Sequence, residues 1–146
     1  MTVDIVTDIE IDRPVDVVAR YAADPTNAPA WYANIESVEW ETKPEVAVGA
    51  RVAFVARFLR RRLAYTYELV DHVPNVRLVM RTAEGPFPME TTYTWTAATD
   101  TSTTMALRNR GEPAGFSKLA APFMARAMRR ANRKDLALLK EILETT

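Results

Sequence analysis

The sequence predicts an α+β fold: a curved antiparallel sheet wrapped against one long C-terminal helix, with two short helices after the first strand. Three observations carry this expectation. Apolar and polar residues alternate through seven separate stretches, the spacing of strands with one buried face. Between the first and second of these, Pro14, Asp24-Pro25 and Pro29 punctuate two short helical segments. From Ala114 to Leu143 the spacing turns helical, and Phe116, Ala120, Phe123, Ala127, Ala131, Leu138 and Ile142 form one apolar stripe. A helix of about 30 residues spans roughly 45 Å. A domain of this size has a radius of gyration of roughly 15 Å, so the helix crosses the molecule and needs a broad apolar surface beneath it. A long helix across a curved sheet leaves a hollow, which is the place to look for function.

Each element follows from local chemistry. Val3 to Arg13 alternates, setting Val3, Ile5, Ile9 and Ile11 against Asp4, Asp8, Glu10 and Asp12. Pro14 suits a helix start, where its missing N–H costs little, and Val15 to Ala23 is a short helix stopped by Asp24-Pro25. Asn27 to Asn34, with Pro29, Trp31 and Tyr32, is a second short helix or turn, and Ile35 to Thr42 is a strand. A meander follows: Arg51 to Leu59, Leu63 to Asp71, Val76 to Thr82, Phe87 to Ala98 and Thr103 to Arg110. Its connections are the exposed Arg60-Arg61-Arg62, then Val73-Pro74-Asn75, Glu84-Gly85-Pro86 and the polar turn Thr99 to Ser102. Pro88 marks a strand end or an edge. Gly111-Glu112-Pro113 and Gly115 release the chain into the long helix.

Composition bounds the function. A chain of 146 residues, 48% hydrophobic and 26% charged, reads as one globular domain spanning 1–146. Nineteen basic and nineteen acidic side chains leave no net charge, which argues against nucleic acid as the main partner. No apolar run approaches the roughly 20 residues of a membrane span, so no stable membrane insertion is expected. The first ten residues carry Asp4, Asp8 and Glu10 rather than the positive start of a signal peptide. Without cysteine there is no disulfide framework, thiolate nucleophile or thiolate metal site. The expectation is a cytoplasmic monomer or homodimer.

The element order and several motifs resemble the START-like superfamily of polyketide cyclase–dehydrases and lipid-transport proteins (SRPBCC), which has the helix-grip fold. The matching stretches include Arg13-Pro14-Val15-Asp16-Val17-Val18, Asn27-Ala28-Pro29-Ala30-Trp31 and Val48-Gly49-Ala50-Arg51-Val52. They continue at Val73-Pro74 and in Gly111-Glu112-Pro113-Ala114-Gly115-Phe116 running into Lys118-Leu119-Ala120-Ala121-Pro122 and the terminal Asp135-Leu136 to Leu143. The resemblance covers essentially the whole chain. It departs at the last hairpin, where relatives often have Gly-Thr and this chain has Ser102-Thr103. It implies a sheet gripping the helix around an apolar pocket. It does not imply one function, since members include carriers, cyclases, sensors and chaperone-ATPase activators.

Strand alternation gives each strand an inner face. The candidate ligand-binding residues are Phe54 and Phe58, Tyr65 and Tyr67, Met80, then Phe87, Met89, Tyr93 and Trp95, with Leu107 and Asn109 on the last strand. Trp31 joins them from the second short helix, and Phe116, Leu119, Phe123 and Ala127 close the space from the long one. A wall of aromatics and Met suits a flat or elongated apolar ligand, though the same stripe also serves as core. The tyrosines are the better ligand candidates because a buried phenol needs a partner. Pro122 reads either as a hinge under a lid or as the start of the main helix.

Catalytic and cofactor chemistry is sparse. His72, the one histidine, lies at a strand end and reads as a solvated turn residue. No imidazole metal site, acidic metal cluster or glycine-rich phosphate loop is legible, and no cofactor is expected. Arg126, Arg129, Arg130, Arg133 and Lys134 read as a solvated helix face, and Asp135 as a partner for a sheet arginine. Leu136 and Leu143 fall outside the stripe, where they could cover a sheet edge or a dimer contact. The expected function is binding, for transport or sensing, of a hydrophobic small molecule such as a lipid, quinone or polyketide-like compound. An aromatase/cyclase-type enzyme is the alternative; a one-residue register slip would turn Arg57, Glu68 and Arg81 inward to serve it. A protein-interaction module of the chaperone-ATPase-activator kind is the third class.

Overall fold

The computed structural model describes residues 3–58, 60–112 and 121–146. Seven strands form one antiparallel sheet: β1 (Val3–Ile11), β2 (Ile35–Trp40), β3 (Arg51–Phe58), β4 (Arg61–Val73), β5 (Arg77–Glu84), β6 (Met89–Thr99) and β7 (Ser102–Gly111). Helices α1 (Val15–Ala23) and α2 (Ala28–Trp31) follow β1, and α3 (Ala121–Glu144) follows β7. The spatial order is β1-β7-β6-β5-β4-β3-β2, so the meander from β2 to β7 ends beside β1. The two short helices therefore carry the chain from one edge of the sheet to the other.

Register shifts at Ile35/Ser37, Thr66/Tyr67, Leu69/Asp71 and Ala97/Thr99 bend the sheet, since each extra residue locally raises the twist. Among the described residues, Gly49, Asn75 and Arg60 take the left-handed conformation at connections. Glycine and asparagine tolerate it readily. β4 begins at Arg61, opposite Phe58, so the arginine connection is tighter than its sequence suggests. Gly85 permits a close approach, because a Cβ there would lie 3.0 Å from Cβ of Tyr65.

The inner faces are those the alternation predicts: Val52, Phe54, Tyr67, Leu69, Leu78, Met80, Tyr93, Trp95, Met105 and Leu107 are buried. Glu68 and Arg81 point outward, Glu68 to Arg51 (3.2 Å) and Arg81 to Glu90 (2.8 Å). Arg57 pairs with Glu36. The one-residue register slip is absent, which keeps Glu68 and Arg81 outside, while Arg57 also lines the space between the sheet and α3. Val76, expected to begin the next strand, lies exposed in the β4–β5 turn.

The long helix is rotated from its expected stripe. Phe123 is 73% exposed and Leu138 36%, whereas Met124, Asn132, Asp135, Leu136, Leu139 and Leu143 are buried. The 3–4 spacing of Leu136, Leu139 and Leu143 sets the buried face, and Met124 and Met128 continue it. Counting aromatic and alanine positions alone missed it, because polar Asn132 and Asp135 lie in its centre. Leu136 and Leu143, expected at an edge or a dimer contact, are core. The C-terminal end of α3 is tied to β1 and its following turn. Arg13 Nη1 donates to the carbonyls of Leu143 (2.7 Å) and Thr146 (2.9 Å), and Lys140 Nζ donates to that of Glu10 (2.9 Å).

Candidate functional site

A cavity of about 160 Å³ lies between the concave face of the sheet and the first half of α3. Phe54, Ala56 and Phe58 of β3, Leu63, Tyr65 and Tyr67 of β4, and Met80 of β5 line it. Phe87, Met89, Thr91 and Tyr93, with Asn109 of β7, continue the wall. Tyr32, Asn34 and Ile35 come from the turn after α2, and Met124, Met128, Ala131, Asn132 and Asp135 form the helical side. A cavity of about 150 Å³ holds a benzene-sized molecule, so this space accepts a single ring without rearrangement. The methionines are the side chains most able to repack around something larger.

Two polar networks interrupt this apolar wall. On the sheet, the hydroxyl of Thr91 donates to Asn109 Oδ1 (2.8 Å), which uses its one proton. Tyr67, 2.9 Å from the same hydroxyl, is therefore the donor to Thr91 and keeps its oxygen lone pairs for another partner. Burial pushes the Tyr67 phenol up to about 12. Under the helix, the hydroxyls of Tyr32 and Tyr93 meet at 2.6 Å. Whichever donates, the proton of the other is left for a further acceptor. Burial raises both phenols, and the carboxylate of Asp135 adds to the effect.

Asp135 accepts a hydrogen bond from the backbone N–H of Ala33 (3.1 Å), linking α3 to the segment after α2. It makes no ion pair among the described residues, contrary to the expected sheet arginine. Six arginines of the sheet, Arg51, Arg57, Arg77, Arg81, Arg108 and Arg110, are engaged with Asp4, Glu36, Glu68, Asp71 and Glu90. Burial pushes its carboxyl from 3.8 up to about 6, partly offset by the Ala33 amide. One turn earlier, Nδ2 of Asn132 is buried with no hydrogen-bond partner among the described residues. The Tyr65 hydroxyl likewise has none among the described residues; its ring stacks on Phe54 (5.4 Å), and burial raises its phenol well above the ordinary value.

Nine of the sequence-predicted residues line the cavity: Phe54, Phe58, Tyr65, Tyr67, Met80, Phe87, Met89, Tyr93 and Asn109. Trp31, Trp95 and Leu107 do not, because they are buried in the core around α1 and α2. Trp31 is wholly enclosed, its ring 4.1 Å from that of Tyr32 and 5.8 Å from that of Tyr93. Phe123 and Ala127 are off the cavity through the rotation of α3. Phe116 and Leu119 lie outside the described residues, as does the segment preceding Ala121 on which the two readings of Pro122 depend. Sequence reasoning missed Tyr32, Thr91, Met124, Met128, Asn132 and Asp135. The leucine spacing at 136, 139 and 143, extended backwards, was the signal that could have found the helical ones. His72 lies away from this cavity, and among the described residues no three His, Cys, Asp or Glu side chains gather as a metal site.

A curved seven-stranded sheet gripping a C-terminal helix around a cavity is the helix-grip class. The family model for polyketide cyclase / dehydrase and lipid transport matches residues 2–144, and the chain belongs to that family. Solved structures share the fold. A Thermus thermophilus protein is 21% identical with a TM-score of 0.83, covering 97% of each chain. A Streptomyces aromatase/cyclase is 14% identical with a TM-score of 0.82, covering 99% of this chain and 94% of its own. A Mycobacterium smegmatis START superfamily protein is 10% identical with a TM-score of 0.83, covering 97% of each chain. No curated protein matches the sequence.

Proposed function

We propose that this protein binds a hydrophobic small molecule carrying at least one hydrogen-bonding group, for transport or sensing, in the cavity between the sheet and α3. One observation carries the reading: a largely apolar cavity lined by polar groups, Nδ2 of Asn132 and the hydroxyl of Tyr65, that have no hydrogen-bond partner among the described residues. Left unsatisfied, a buried group such as Nδ2 of Asn132 costs about 1–3 kcal/mol, so a ligand that satisfies it gains affinity and selectivity together. Apolar burial supplies the rest, at roughly 25 cal/mol per Å² removed from water. A lipid, a quinone or a polyketide-like compound fits this chemistry.

Native mass spectrometry of the protein taken gently from its own host tests the reading, followed by extraction of what is bound. A reproducible apolar molecule near one per chain is the expected result. A clean ligand-free mass, with no affinity across lipids, quinones and polyketides, would sink it.

A second reading, an aromatase/cyclase-type enzyme, is favoured by one feature. The Asp135 carboxyl, pushed up to about 6, shares the cavity with the paired phenols of Tyr32 and Tyr93. An acid poised near neutrality beside phenols suits proton transfer to or from a bound carbonyl compound. Turnover of the extracted molecule, lost in Asp135→Asn while binding persists, distinguishes the enzyme from a carrier.

A further inference from the structure

We infer that the outer face of α3 is a docking surface for an anionic membrane. Phe123, Arg126, Arg130 and Lys134 follow one another at spacings of three, four and four, so they share one helical face, with Arg129 and Arg133 flanking it. All six are exposed, and Phe123 is 73% so. None of the five cations forms an ion pair among the described residues. Six arginines of the sheet are treated differently: each is paired with a carboxylate, Arg81 and Arg110 sharing Glu90.

The clustering works against the fold. Like charges at 126/130, 129/133 and 130/134 repel along the helix, and no acid lies between residues 121 and 134 to relieve them. A chain with no net charge has thus concentrated five cations on one surface at a cost to helix stability, and an external polyanion relieves that repulsion. The exposed ring at the end of the row selects among polyanions. A nucleic acid or an acidic protein surface needs only the charges, whereas a bilayer interface also takes up an aromatic side chain. The position fits this partner as well. Met124 and Met128, on the opposite side of the same turns, line the cavity. Phe58 packs against the same cluster, bringing the exposed turn with Arg60 and Arg62 to that end of the molecule. Docking there sets the cavity beside the membrane. The charge pattern supports docking whether or not the cavity is filled, and only its use in loading or delivery rests on the proposed ligand binding.

Co-sedimentation with vesicles of phosphatidylcholine alone, and of phosphatidylcholine with about one third phosphatidylserine, tests the surface at roughly 0.1 M salt. The full chain is expected to sediment with the mixed vesicles only and to be released at about 1 M salt, where the screening length falls to about 3 Å. At about fivefold per cation, the variant Arg126→Gln/Arg130→Gln/Lys134→Gln should partition about a hundredfold more weakly. Phe123→Ser should weaken binding several-fold with the charges intact. All four positions are exposed, and an unchanged thermal midpoint checks that each variant is folded. Equal sedimentation with both vesicle types, or with neither, overturns the proposal. So does tighter binding to duplex DNA or polyglutamate, with no effect of Phe123→Ser. Ligand content by native mass spectrometry is a separate readout, so failure of ligand binding leaves the vesicle result standing, and the reverse.

Discussion

At the scale of single residues, Asp135 gives the sharpest test because its environment and its ionisation are coupled. The residue is 3% exposed, and burial moves its carboxyl from 3.8 up to about 6. The folded protein therefore holds the proton more tightly than the unfolded chain. The stability this group contributes is complete below about pH 4 and is lost as pH rises through about 6. At about 1.4 kcal/mol per pKa unit, the loss is on the order of 3 kcal/mol. Asp135→Asn stays neutral and retains an acceptor for Ala33. Urea unfolding should find it close to the unsubstituted protein at pH 4 and more stable by roughly 2–3 kcal/mol at pH 7. A constant difference across that range would show that the carboxyl is already well solvated. Tyr65→Phe is a second test. Its hydroxyl supports nothing among the described residues, so removal should leave the ligand-free thermal midpoint within about 1 °C, whereas losing one ligand hydrogen bond costs about 1 kcal/mol, near fivefold in Kd. Tyr67→Phe should differ, because it also leaves Thr91 without its donor and lowers the midpoint.

At the scale of elements, α3 separates what apolar counting predicts from what packing selects. Leu136 is 1% exposed and Leu138 36%, two neighbours of the same type on opposite sides of one helix. Leu136→Ala should cost about 2–5 kcal/mol, since it leaves a void in the core. Leu138→Ala should fall within about 0.5–1 kcal/mol, measured in the same denaturant series. The reverse ranking would restore the stripe through Phe123 and Leu138. The strands behave otherwise. A period of two leaves only two choices of face, and the sets Phe54/Ala56, Tyr65/Tyr67/Leu69 and Tyr93/Trp95 turn inward as alternation predicts. A helix offers a continuum of rotations, and with Asn132 and Asp135 at its centre the buried face is marked only by the spacing of Leu136, Leu139 and Leu143.

At the scale of the whole molecule, the two ends of α3 are held differently. Its C-terminal half carries buried Leu136, Leu139 and Leu143 and the Arg13 and Lys140 bonds to the first strand and turn. Its N-terminal half lies over the cavity through Met124 and Met128. Local opening should therefore start at the cavity end, where fewer buried contacts are lost. Amide hydrogen exchange should be faster at residues 125–129 than at 136–143, and ligand binding should slow the first group selectively. Uniform protection along the helix would mean that α3 leaves the sheet only as a unit.

Element order and nine of the cavity-lining residues were legible in the sequence, because strand alternation and turn chemistry are local signals, whereas the choice between the two faces of the middle strands was closed only by the structure. The resemblance of the whole chain to its family was legible for the same reason. Tertiary structure alone decided the withdrawal of Trp31, Trp95 and Leu107 into the core, and the meeting of Tyr32 with Tyr93 and of Asp135 with Ala33. Those depend on register shifts that bend the sheet and on contacts across about 60 to 100 residues of chain, and no local pattern encodes either.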